Sequence, residues 1–210
     1  MPKFLVDEML GDVARWLRIL GYDAAYVKKV KDEEIVRKAL EEGRVILTRD
    51  EKMKSKEVRI YVVKGKNFYE KMADIVKHFR LSLKIRETRC ALCNGELKKA
   101  KKEEVKHRVP RKVLEKIKEF WVCKRCGQVY WEGGHWKRIK NVIGKVKKLV
   151  ERDFARLNQR TKLIRKKSTP KERDCPGQIQ IQEPKLEKEL GIGEIIPKKI
   201  RKYQIMVFLG

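Results

Sequence analysis

Two cysteine pairs constrain this chain more than any other feature. Cys90 and Cys93 are separated by two residues, as are Cys123 and Cys126, and 29 residues lie between the pairs. Each C-x2-C turn can aim two thiolates at one ion, and two such turns complete the tetrahedral sulfur shell that zinc takes in closed structural sites. Gly95 and Gly127 follow their pairs closely, where tight turns are needed. Two disulfides or a dithiol redox site are the competing readings, and the paired spacing favours zinc. Four sulfur ligands leave no open position, so such a Zn2+ ion holds a small domain together rather than catalysing. Cys175 has no partner in this pattern and reads as a free thiol in a tail.

Ahead of the cysteines, short apolar runs alternate with helical patterns. Phe4-Leu5-Val6 reads as a strand, and Leu10, Val13, Leu17 and Leu20 recur at helical spacing until Gly21. Ala24 to Val27 reads as a second strand. Asp32-Glu33-Glu34 opens a helix that ends near Gly43, with Asp32 in the expected capping position. Val45-Ile46-Leu47 and Val58 to Val63 follow as strands, and Asn67 caps a helix carrying Met72, Ile75, Val76 and Phe79. Strands alternating with helices imply an α/β domain with a mainly parallel sheet and flanking helices, over residues 1–84. A small four-cysteine zinc ribbon is expected over 85–140. Residues 141–210 should hold a basic helix, from Ile139 to about Leu157, and an extended tail. That tail contains four of the six prolines and ends in the β-prone run Ile205 to Leu209, which would need to dock as a strand.

Charge narrows the partners. The chain has 55 Lys+Arg against 29 Asp+Glu, a formal charge of +26, and residues 89–150 alone carry +13 of it. Each cation that neutralises a phosphate releases condensed counterions, so nucleic acid is the favoured partner. No apolar run approaches the roughly 20 residues that span a bilayer, and Asp7 and Glu8 interrupt any signal-like N-terminus, which implies a cytoplasmic protein without a membrane partner. Charged residues make up 40% of the chain, against about 25% typically, a composition that fits a thermophile.

In a parallel sheet, ligands collect beyond the carboxyl ends of the strands. Asp7 directly follows the first strand and Asp50 the third. If those strands are neighbours, two carboxylates meet at one edge, and a divalent cation such as Mg2+ or Mn2+ relieves their repulsion. The plainer readings are that Asp7 caps the next helix and Asp50 starts a turn.

These segments together resemble the Mut-seven C-terminal ribonuclease domain family, a PIN-like fold joined to a zinc ribbon. The resemblance is carried by Phe4 to Gly11, Ala14 to Arg18, Leu20 to Asp23, Gly43 to Asp50, Arg89-Cys90 with Cys93 to Gly95, and Cys123 to Trp136. It covers about residues 3–140 and implies a metal-dependent ribonuclease. Its acidic cluster maps to Asp7 and Asp50, with Asp32 as third member, and its substrate is RNA, with ribosomal or transfer RNA among the candidates. Arg15, Arg18 and Arg49 lie near that edge and read as phosphate contacts, while Arg18 reads equally as a solvated helix residue. Trp131, His135 and Trp136, followed by Lys137 and Arg138, read as an RNA-stacking and phosphate-tracking patch. Trp131 and Trp136 read equally as packing for the small zinc core. The Lys98 to Lys106 run reads as a solvated loop. A noncatalytic RNA-binding or ribosome-associated protein, with its acidic domain as scaffold, is the alternative to the enzyme.

Overall fold

The computed structural model describes residues 1–167 except Arg86 and Glu132, with backbone alone at His135 and residues 160–167. Cys175 and the expected terminal strand at 205–209 lie outside the described residues.

Elements run in the order β1 (Phe4–Val6), a 3-10 turn (Glu8–Leu10), α1 (Gly11–Ile19), β2 (Ala24–Tyr26), α2 (Asp32–Glu41), β3 (Val45–Thr48), β4 (Ile60–Val62) and α3 (Phe68–His78). They continue with β5 (Leu97–Ala100), α4 (Lys102–Val105), α5 (Arg111–Lys116), β6 (Phe120–Cys123), β7 (Val129–Trp131) and α6 (His135–Lys167).

The first four strands form one parallel sheet in the order β2-β1-β3-β4. β1 is buried on both faces, as a central parallel strand must be. Its residues alternate between two cores. Phe4 and Val6 pack with Val13, Leu17, Met72 and Val76 from α1 and α3, while Leu5 packs with Ile35 and Ala39 from α2. Helices therefore cover both faces of the sheet.

The second sheet is antiparallel, in the order β5-β6-β7. It too splits by period two. Phe120, Val129 and Trp131 pack with Ala100, Val105 and Val109, whereas Trp121, Cys123 and Tyr130 pack with Ile19 of α1 and Ile139 of α6. The expected loop at Lys98 to Lys106 is instead part of β5 and α4. Buried Ala100 and Val105 hold those elements down while the lysines between them reach solvent.

α6 starts before residue 140 and returns to the first unit: Val146 and Val150 join the core beneath α3, and Lys77 pairs with Asp153. No helix among the described residues is long and apolar enough to cross a membrane.

Candidate active site and metal centre

The sheet order brings Asp7 and Asp50 to one edge, because β1 and β3 are hydrogen-bonded neighbours. Asp7 still belongs to the ladder: its amide donates to the Leu47 carbonyl at 3.0 Å. Its carboxylate does two things at once. Oδ1 accepts the Glu8 amide at 2.6 Å and caps the 3-10 turn, while Oδ2 accepts the Thr48 hydroxyl at 2.8 Å. The amide of Asp50 donates to that same hydroxyl oxygen at 3.0 Å. Thr48, at 0% exposure, thus joins the two acids through one buried hydroxyl. Asp50 Oδ1 accepts the Lys52 amide at 2.8 Å, so the turn expected there is present as well. Capping and turn formation occupy some lone pairs of each carboxylate and leave others, since an ionised carboxylate accepts about four hydrogen bonds. Neither acid forms an ion pair among the described residues.

Asp32 stands apart. It is exposed at the first residue of α2, and Lys31 occupies the cap position with no side-chain capping bond, so the expected Asp32 cap is not formed. β2 flanks β1, so α2 starts beyond the same edge of the sheet. Among the described residues, however, the four cysteines are the only set of three or more His, Cys, Asp or Glu whose ligand atoms lie within 4.8 Å of one another. Asp32 therefore does not converge with Asp7 and Asp50 into one compact donor set.

Of the three arginines, Arg49 lies at the acidic edge by its place in the chain. Arg49 sits between Thr48 and Asp50, and its Nη1 donates to the Gly65 carbonyl in the loop after β4. That loop requires glycine: with φ of +117°, an added Cβ would lie 2.7 Å from the Lys71 amide nitrogen. Arg15 is half-buried; burial lowers its pKa, and Tyr130 of the ribbon opposes that shift.

Arg18 is neither a phosphate contact nor a solvated residue. It is 5% exposed, and its guanidinium donates to the carbonyls of Ala24 at 2.7 Å, Ala91 at 3.0 Å and Leu92 at 2.9 Å. Burial lowers its pKa, against the attraction of Cys90, Cys93, Tyr130 and Asp23. Its donors are committed to fastening the first cysteine turn to the α/β unit.

Asn94 completes that joint, accepting the Ala24 amide at 3.0 Å and donating to Asp23 Oδ1 at 2.6 Å. Burial pushes the Asp23 carboxyl up, but hydrogen bonds from Arg44 and Asn94, with the charges of Arg44 and Arg89, hold it below its ordinary value.

The four cysteines converge as the spacing predicts. Cys90 and Cys126 sulfurs are 3.6 Å apart and those of Cys93 and Cys123 are 3.4 Å apart. A disulfide needs about 2.05 Å. A zinc tetrahedron with Zn–S of about 2.3 Å has sulfur separations of roughly 3.8 Å, so the donor set fits that ion. Burial pushes the Cys123 thiol up, but the amides of Cys126 and Arg125 lower it further, to about 7. Asn94 takes the positive φ of the first turn, 68°, which the sequence suggested for Gly95. Gly95 is needed for space: a Cβ there would lie 2.8 Å from the Cys123 sulfur. Tyr130 hydrogen-bonds Cys90 at 2.9 Å, and its own pKa is raised by burial and then by Cys90.

The aromatic patch divides. Trp131 is 4% exposed and packs beside Phe120, so it belongs to the ribbon core and does not offer a stacking face. Trp136 is half-buried, with the Lys140 ammonium 5.9 Å from its ring. Lys137 and Arg138 are exposed, and the side chain of His135 lies outside the described residues.

The model of the Mut7-C RNAse domain matches residues 2–143, which include the acidic edge, all four clustered cysteines and the joint between them. The chain belongs to the Mut7-C RNAse domain family. No curated protein and no solved structure matches it. In this Mut7-C domain, two residues that the sequence pattern did not single out are Thr48 and Asn94. Thr48 sits one position beyond a legible strand and two before a candidate acid, so a hydroxyl at a strand's carboxyl end was the available signal.

Proposed function

We propose that this chain is a metal-dependent ribonuclease that hydrolyses RNA phosphodiester bonds at the carboxyl edge of a PIN-like sheet. The carrying observation is the buried Thr48 hydroxyl, which hydrogen-bonds Asp7 and the Asp50 amide at one edge, where neither acid has a cationic partner among the described residues. Asp7 and Asp50 would hold Mg2+ or Mn2+ without Asp32, which does not join their donor set. A divalent cation there supplies Lewis acidity, polarising the scissile phosphate and acidifying water. Thr48 and the Glu8 amide fix the orientation of Asp7, and Arg49 stands beside the acids as a phosphate contact. Cys90, Cys93, Cys123 and Cys126 would hold Zn2+ as a structural centre, because four sulfurs leave it no open position.

The test is cleavage of a labelled single-stranded RNA by zinc-loaded protein, with added Mn2+ or with EDTA, beside an Asp7→Asn, Asp50→Asn double variant. Metal-dependent cleavage by the wild type, absent from the variant, is expected. Equal cleavage by both proteins overturns the assignment. The separation of Asp32 from the other acids favours a second reading, a noncatalytic RNA-binding protein. It predicts salt-sensitive RNA binding without cleavage in any metal.

A further inference from the structure

α6 has two faces of opposite character. Ile139, Val146 and Val150 are buried, with Ile143 packed beside them, and lie within one arc of the helix. At 3.6 residues per turn, Lys137, Arg138, Lys145, Lys148, Arg152 and Arg156 fall within roughly 100° of the opposite side. All six are exposed, and none forms an ion pair among the described residues. Lys145 also lies over the Tyr69 ring at 5.1 Å. From Lys137 to Arg156 the stripe is about 28 Å long, by the rise of 1.5 Å per residue.

A charged helix face is usually a solvated one, and usually mixes signs. Here the acids stand off the stripe: Asp153 pairs with Lys77, and Glu151 with Lys147 at 3.7 Å. Lys148, Arg152 and Arg156 follow one another at i,i+4, a spacing at which like charges destabilise an isolated helix. Packing on α3 holds them in register despite that repulsion. A rigid, one-signed rail of this length is complementary to a polyanion. A membrane surface is a poor occupant, because the apolar face that would enter lipid is buried in the protein.

We infer that the outward face of α6 is an RNA-binding rail that tracks the phosphate backbone. The inference deepens the ribonuclease reading by naming the surface that holds the substrate, and for the enzyme role it rests on that reading. Placement supports the link. Lys145 lies over Tyr69 in the first turn of α3, beside the loop whose Gly65 carbonyl receives Arg49 from the acidic edge. The stripe also runs past residue 143, where the family match ends, so the family's shared domain does not account for it.

The experiment measures both binding and cleavage of one labelled single-stranded RNA by full-length, zinc-loaded protein across a salt series. Lys148→Gln, Arg152→Gln, Arg156→Gln is compared with a charge-matched control, Lys106→Gln, Lys112→Gln, Lys116→Gln, exposed residues just after α4 and on α5. The rail variant should bind about tenfold more weakly or worse, and its log-log salt slope should be shallower by about 2, at about 0.7 for each phosphate no longer neutralised. Its cleavage at subsaturating RNA should fall in proportion to the lost affinity. The charge-preserving K148R, R152K, R156K variant should bind like the wild type, which separates missing phosphate neutralisation from a folding defect. Wild-type affinity in the rail variant overturns the inference. So does an equal decrease in the control, which would trace binding to net charge, or displacement of RNA by equimolar-charge polyglutamate at equal potency, which would point to an acidic protein. Binding that depends on the rail, without cleavage by any protein, would retain the rail and reject the nuclease.

Discussion

Thr48 is where a local strand residue joins the candidate site. Its backbone belongs to β3, paired with Val62 of β4, and its hydroxyl reaches Asp7 on the neighbouring strand. Thr48→Val keeps the shape and removes the hydroxyl, leaving a buried carboxylate oxygen and the Asp50 amide each without that partner. Loss of such bonds costs about 1–3 kcal/mol. If Thr48 positions the acids, the variant needs more Mn2+ for half-maximal cleavage and is about 10–100-fold less active at fixed metal, the range for groups that orient metal ligands. Thr48→Ser should recover most of the loss. A Thr48→Val protein that loses stability yet keeps the wild-type Mn2+ requirement would make the residue structural only. The placement of Asp7 and Asp50 at one edge was legible because Asp7 directly follows an apolar strand and Asp50 comes two residues after another. The role of Arg18 was not legible: the Ala91 carbonyl that receives it lies 73 residues away in sequence. Nothing within the α1 pattern distinguishes such an arginine from a solvated one.

The strands of the parallel sheet were readable because β1 is apolar on both faces and β3 on three of its four residues, the pattern of strands covered on both sides. Their order was not, since it depends on which neighbour each strand pairs with. β5 and α4 escaped for a different reason. Five lysines between 98 and 106 masked the two small buried positions, Ala100 and Val105, that anchor those elements. α6 was foreseen as a helix but not as part of the first core. Val150 is 6% exposed within that core, so Val150→Asp places a carboxylate among apolar groups. The expected result is a loss of about 3 kcal/mol or more, with amide exchange accelerated first in the C-terminal part of α6. Unchanged protection of α6 would show that it is held from elsewhere. RNA affinity should fall as the rail loses its support, even though Val150 carries no charge.

Across the whole molecule, the cysteine centre and the α/β unit share one joint rather than a linker. Arg18 reaches two carbonyls of the first cysteine turn, its own carbonyl accepts the Arg89 amide at 3.0 Å, and Asn94 spans from the Ala24 amide to Asp23. Ile19 and Trp16 then pack against the same core as Cys90, Trp121 and Tyr130. The binding energy of a structural zinc site is folding energy for whatever its ligands hold in place. With this joint, that energy extends into α1 and β2. Thermal unfolding of the zinc-loaded wild type should therefore be a single transition seen alike by far-UV circular dichroism and tryptophan fluorescence. A strong chelator should lower that whole transition instead of removing a separate ribbon step. Arg18→Met retains much of the packing and removes the hydrogen bonds to three carbonyls, at a cost of roughly 3 kcal/mol, or ~10 °C for a chain of this size. In that variant the two probes should separate, with the chelator acting mainly on the ribbon's transition. Two transitions in the wild type would mean that the two units fold independently, and one unshifted transition in Arg18→Met would mean that Arg18 contributes nothing to the joint.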